Sequence, residues 1–185
     1  MSTRSGPTRF TSQRILDAES CVSDSVKEPA PFQMEAVIDP ILGEDQVDAV
    51  VAMTESDRRV TTVIGPAGAG KTTLLKSVAQ TWEAAGRDVM ILTLSAAAAR
   101  VVTEETSIPA STIASWAIGQ VDMPRGGLVV IDEASMVPML TLENLVRVSE
   151  VYGTRLAFVG DYAQMGAPEA GGLLHDLAAG PSAVT

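Results

Sequence analysis

Val60-Thr61-Thr62-Val63-Ile64-Gly65-Pro66-Ala67-Gly68-Ala69-Gly70-Lys71-Thr72-Thr73 is the stretch that decides the fold. Its first five residues form a short β-branched run, which predicts a buried strand. Thr72 to Ala85 then predicts a helix, with Leu74, Leu75, Val78 and Trp82 on one stripe. Gly86 stands where a C′ glycine ends such a helix. Between strand and helix lies the pattern G-x-x-x-x-G-K-[ST]. Small residues there let the backbone wrap a phosphate chain with its N–H groups pointing inward. The helix start adds its positive dipole end. This context predicts a nucleotide-phosphate loop built from Gly65, Pro66, Ala67, Gly68, Ala69, Gly70, Lys71, Thr72 and Thr73. In that chemistry Lys71 reaches the β- and γ-phosphates and the Thr72 hydroxyl ligates Mg²⁺, so ATP and Mg²⁺ are the expected cofactors.

Strand and helix signals alternate on both sides of the loop. Gly43 to Ser56 carries Val47, Val50, Val51 and Met53 at helical spacing. Val89–Leu94, Leu128–Ile131 and Arg155–Val159 predict further strands. Ala96–Glu105, Thr112–Ile118, Leu140–Val151 and Gly172–Ala179 predict helices. Strands without polar alternation, separated by helices, imply an α/β fold whose parallel sheet is covered on both faces.

Two more strand ends carry chemistry. Leu128-Val129-Val130-Ile131 runs into Asp132-Glu133. Carboxylates at the C-terminal end of a parallel strand face the same crevice as the phosphate loop. Asp132 is expected to hold the metal and Glu133 to act as the base for an attacking water. Taken alone, the pair reads equally as two acids entering an exposed turn. Phe158-Val159-Gly160-Asp161 is followed by Gln164, whose neutral amide could contact a γ-phosphate and the water. By itself that segment is also a plain polar turn.

Composition sets the outer bounds. The chain has 185 residues, 46% of them apolar and 19% charged, which fits one globular domain. The net charge is −10, and residues 1–34 are neutral, so all of it sits in residues 35–185. That argues against a stand-alone basic nucleic-acid-binding module, though not against a DNA-using enzyme. The single cysteine, Cys21, excludes an internal disulfide framework, and the single histidine, His175, excludes a multi-histidine metal site. Polar residues from Met1 to Pro7 do not form a signal peptide, and no run of apolar residues reaches membrane-spanning length. A soluble, cytoplasmic protein is the default expectation. Ile15, Leu16, Ala18, Glu19 and Val22 fit a short helix, and residues 28–34 read as a Pro-containing linker. The expected organisation is an N-terminal tail over 1–34 and an ATP-binding domain over 35–185.

The order of motifs resembles the superfamily 1 helicases. Gln46, the Gly65–Thr73 loop, Asp132-Glu133-Ala134-Ser135 and Gly160-Asp161-x-x-Gln164 carry the resemblance. It is strongest to the helicase half of MobF-type conjugative relaxases, with RecD-like helicases next. Arg9–Glu19, Thr81–Gly86 and Glu169–Gly172 extend it. The resemblance implies a RecA-like P-loop domain with a short N-terminal helical lead. It also implies that Gln46 reads adenine, and that Ser95, Ala96 and Thr112 contact single-stranded DNA through its backbone. For Ser95 and Thr112, helix capping is an alternative that can coexist with contact. Leu94 and Met165 depart from the family pattern, where proline and leucine are usual.

Such motors use two RecA-like domains, the second supplying arginine fingers, so a second domain or chain is an expected partner. Loss of an arginine finger costs roughly 10³–10⁵-fold in rate. The chain is therefore expected to be a truncated or partner-completed helicase motor domain, weak in turnover on its own. The alternative is a nucleotide-binding interaction module, or an inactive remnant, without motor activity. DNA nicking is not expected, because one histidine cannot build the relaxase site.

Overall fold

The computed structural model describes residues 12–64, 70–160 and 183–184. Its elements run α1 (Gln13–Ser25), α2 (Glu44–Glu55), β1 (Val60–Ile64), α3 (Lys71–Ala84), β2 (Val89–Thr93) and α4 (Ala96–Thr106). They continue with β3 (Ala110–Thr112), α5 (Ile113–Ala117), β4 (Leu128–Ile131), α6 (Met139–Tyr152), β5 (Arg155–Gly160) and β6 (Ala183–Val184). A 3-10 turn over Ala134–Met136 separates β4 from α6. The expected helix over Gly172–Ala179 lies outside the described residues.

The strands form one sheet in the order β3-β2-β4-β5-β1-β6, and every pair is parallel. Alternate side chains of each strand point to opposite faces. Val129 and Ile131 of β4, with Leu156 and Phe158 of β5, enter a core with Ala18 and Val22 of α1, Trp116 of α5 and Leu142, Leu145 and Val146 of α6. Leu128 and Val130, with Ala157 and Val159, enter the opposite core with Val50 and Met53 of α2 and Leu75, Val78 and Trp82 of α3. A sheet with both faces covered has no solvent-facing side, which is why its strands read as continuous apolar runs. The expected α/β architecture with a parallel sheet is what forms.

Local signals end the elements where physics requires. Gly86 (φ +68°) closes α3, with Gly86 N–H donating to the Glu83 carbonyl at 2.8 Å and Arg87 N–H to the Trp82 carbonyl at 2.9 Å. This is a Schellman ending, which satisfies carbonyls that the helix leaves open. The expected helix over Thr112–Ile118 is corrected in part. Thr112 ends a three-residue strand and caps a shorter helix over Ile113–Ala117. Half-buried Ala110, Ser111 and Thr112 give no apolar run, so only their register with Ile91, Leu92 and Thr93 reveals the strand.

The N-terminal segments pack onto this body. On α1, Ala18 and Val22 are fully buried, while Leu16 is exposed. Glu143 of α6, itself buried, takes Arg14 of α1 at 2.5 Å and Arg147 at 3.0 Å. The Arg14 hydrogen bond holds the Glu143 carboxyl below its ordinary range, against the effect of burial and with help from Arg147. In residues 28–34, Ala30 N–H donates to the Asp57 carbonyl at 2.7 Å. Phe32 meets Trp82 edge-on at 5.5 Å, and the Arg87 guanidinium lies 3.5 Å over the Phe32 ring.

Candidate nucleotide-binding site

Parallel strands deliver their C-terminal ends to one edge of the sheet. There the ends of β1, β2, β3, β4 and β5 bring Gly70, Ser95, Thr112, Asp132 and Gly160 onto a common rim. Residues Gly65, Pro66, Ala67, Gly68 and Ala69 lie outside the described residues, as do Asp161 and Gln164. The loop side of the site is therefore built from Gly70 onward.

Gly70 is the N-cap of α3 and holds a left-handed conformation at φ +73°. A Cβ there would sit 1.9 Å from Gln46 Nε2, so the Gln46 amide lies directly against the backbone at Gly70. Gln46 occupies the third position of α2, and its Oε1 accepts the Gly43 N–H at 3.0 Å. That bond satisfies one of the donors a helix start leaves open. The same side chain thus caps the start of α2 and lies against the N-cap of α3.

Lys71 opens α3, and its Nζ is paired with Asp132 Oδ1. Asp132 is partly buried and also accepts the Glu133 N–H at 2.8 Å. Its own N–H donates to the Leu92 carbonyl at 2.9 Å, which continues the ladder and fixes its backbone. Glu133 is exposed and left-handed at φ +53°. For a residue with a Cβ this conformation costs roughly 1–2 kcal/mol. Ser135, two residues on, is buried, and a Cβ on Gly160 would lie 3.9 Å from its Oγ. Because β5 lies between β1 and β4, Gly160 stands between the strand that precedes α3 and the strand that ends at Asp132-Glu133.

Thr72 Oγ1 donates to Glu105 Oε2 at 3.0 Å, a contact that sequence reasoning missed. Glu105 lies in the last turn of α4, and no linear spacing rule links it to α3. Thr73 is half-buried in the same first turn of α3.

Ser95 caps α4 by accepting the Ala98 N–H at 3.2 Å, and Ala96 is the first residue of that helix. Thr112 caps α5 by accepting the Ser115 N–H at 3.0 Å. The capping alternative for these hydroxyls is therefore realised, on the rim that also carries Asp132.

The donor set fits a hard divalent cation. Thr72 offers a hydroxyl and Asp132 a carboxylate, while no cluster of three or more His, Cys, Asp or Glu able to hold a metal occurs among the described residues. Mg²⁺ suits that arrangement, because it keeps several waters and takes one or two protein oxygens beside phosphate oxygens. Among the described residues no helix is long and apolar enough to cross a membrane.

Residues 41–185 match the AAA domain family. The chain is 33% identical over 141 residues to a probable conjugal transfer protein TraA of Sinorhizobium fredii, covering 74% of this chain and 13% of that protein. It is 31% identical over 138 residues to conjugal transfer protein TraA of Rhizobium radiobacter, covering 72% of this chain and 12% of that one. It is 26% identical over 178 residues to the TraA protein of Agrobacterium fabrum, covering 89% of this chain and 16% of that one. The chain thus spans a small part of the length of these relatives. In fold it is similar to the UvsW helicase from bacteriophage T4, with a TM-score of 0.54 at 10% identity over 84% of this chain and 63% of that one. The expected resemblance to conjugal-transfer helicase segments is borne out, and so is the RecA-like α/β fold. With residues 41–185 matched, the chain belongs to the AAA domain family.

Proposed function

We propose that this chain is the ATP-binding motor domain of a DNA helicase, in which ATP hydrolysis is coupled to movement along single-stranded DNA. The observation that carries the reading is the meeting of Gln46, Gly70, Lys71, Thr72, Asp132 and Glu133 at one edge of the sheet. Similarity to segments of conjugal transfer proteins supports the DNA side of the reading.

Each residue has a distinct task. Lys71 leaves Asp132 for the β- and γ-phosphates, which releases the Asp132 carboxylate to hold Mg²⁺ together with the Thr72 hydroxyl. Bound Mg²⁺ supplies charge neutralisation across the phosphates. Glu133 takes a proton from the attacking water as the water oxygen bonds to the γ-phosphorus and the bond to the β,γ-bridging oxygen breaks. Gln164 reports on the γ-phosphate, and Gln46 contacts adenine while touching Gly70. Ser95, Ala96 and Thr112 present a hydroxyl and backbone rim to the DNA strand, and a second RecA-like domain or chain completes the site.

One observation favours a second reading. The net charge of −10 opposes DNA binding and fits a nucleotide-binding interaction module. ATP turnover with and without single-stranded DNA, measured beside Glu133→Gln, separates the two. A motor gives DNA-stimulated turnover that the substitution removes. Nucleotide binding with turnover no higher than the Glu133→Gln variant, together with no binding of single-stranded DNA with or without ATP, overturns the motor reading.

A further inference from the structure

Thr72 is the residue of the phosphate loop whose hydroxyl faces the cation in the reading above, and its proton already has a destination. A hydroxyl offers one donor and two acceptor lone pairs. Thr72 Oγ1 spends the donor on Glu105 Oε2 at 3.0 Å, which leaves both lone pairs for a cation. A hydrogen bond to an ionised acceptor is roughly twice as strong as a neutral one.

The turn that presents Glu105 is held on several sides. Thr106, the next residue, is buried and donates its hydroxyl to the Val102 carbonyl at 2.6 Å. Ser107 turns left-handed at φ +65° and donates its N–H to the Thr103 carbonyl at 2.9 Å. Thr103 Oγ1 accepts the Ala110 N–H at 3.2 Å and so ties the turn to β3. The two neighbouring carboxylates divide their work. Glu104 pairs with Arg100 of its own helix at 2.8 Å, and Glu105 reaches across to α3. Among the described residues Glu105 makes no ion pair with an arginine or lysine.

We propose that Glu105 is a positioning residue for the cation at the nucleotide site, acting through the Thr72 hydroxyl. The inference rests on the reading of Lys71, Thr72 and Asp132 as a Mg²⁺-nucleotide site, and deepens it. Outer partners of metal ligands fix the ligand's orientation and raise its basicity, and their loss typically costs 10–100-fold in metal affinity. Glu105 also adds negative charge beside the cation. That charge repels bare phosphates, so metal-free nucleotide gains nothing from it.

The test is a Mg²⁺ titration of fluorescent ADP binding to the full chain, with a parallel measurement in EDTA. Glu105→Ala is expected to raise the Mg²⁺ midpoint about 10-fold or more, without weakening ADP binding in EDTA. Glu105→Gln, which keeps an acceptor oxygen and loses the charge, falls between. Glu104→Ala, which breaks the Arg100 pair, leaves the midpoint at the wild-type value. In a Thr72→Ala background, Glu105→Ala adds less than it does alone. Urea midpoints identify any variant that acts by unfolding. An unchanged or lowered midpoint in Glu105→Ala overturns the proposal while leaving the Mg²⁺-nucleotide reading intact. Wild-type binding that ignores Mg²⁺ overturns both.

Discussion

Gly70→Ala tests the junction between α2 and the start of α3. Two costs follow from the structure. Gly70 sits at φ +73°, and a left-handed conformation costs a residue with a Cβ roughly 1–2 kcal/mol. The added Cβ would also meet Gln46 Nε2 at 1.9 Å and Cδ at 3.1 Å. Gln46 can swing away, but it then gives up the 3.0 Å bond that its Oε1 accepts from the Gly43 N–H. A lost helix-start bond of that kind is worth about 1 kcal/mol. The expected loss is about 2–3 kcal/mol, a large part of the ~5–15 kcal/mol that holds a typical domain. Urea unfolding of wild type, Gly70→Ala, Gln46→Ala and the double variant measures it. Gln46→Ala alone loses the capping bond, about 1 kcal/mol, and also removes the obstacle. The double variant is therefore less unstable than the sum of the singles by about 1 kcal/mol, which is the signature of contact. Gly70→Ala within about 0.5 kcal/mol of wild type, or singles that simply add, refutes the reasoning.

Two further expectations concern buried charge. Arg155 is buried; its Nη1 donates to the Thr54 carbonyl at 2.7 Å and its Nη2 has no hydrogen-bond partner. Burial pushes its pKa down to about 10, so the charge is a cost in the folded state. Arg155→Met trades that cost against the lost Thr54 bond and is expected within about 1 kcal/mol of wild type, whereas Arg155→Ala opens a cavity and loses at least about 2 kcal/mol. Equal losses in urea unfolding would contradict this. Glu143 has a folded pKa below its unfolded value, so its contribution is complete above the ordinary glutamate range near pH 4 and fades as pH falls through the folded value. The urea midpoint is expected to drop more steeply below about pH 4 in wild type than in Glu143→Gln, and parallel curves would show the Arg14 clamp to be inert.

Much of the fold is legible in the sequence, because the strands are buried on both faces and read as unbroken apolar runs. Leu128–Ile131 is recovered to the residue, and α2, α3, α4 and α6 shift by a residue at most at either end. Features set by tertiary register are not legible. β3 exists only because Ala110 to Thr112 align with β2, and its side chains are half-buried. On α1 the buried apolar residues are Ala18 and Val22, since α6 approaches that side, and the larger Leu16 is left exposed. Arg155 opens a strand yet is enclosed, a position that charge alone argues against. At the site, Lys71 and the Asp132-Glu133 pair are singled out by motif spacing, and the structure brings Lys71 onto Asp132. The Thr72–Glu105 bond joins residues 33 apart on two helices, and no periodicity encodes it.

The most direct test of the central claim is ATP affinity in Mg²⁺, compared across wild type, Lys71→Ala and Glu133→Gln. The account predicts that wild type and Glu133→Gln bind alike, because Glu133 acts on the water, and that Lys71→Ala loses binding while remaining folded. Equal loss in both folded variants, or unchanged binding in Lys71→Ala, would contradict it.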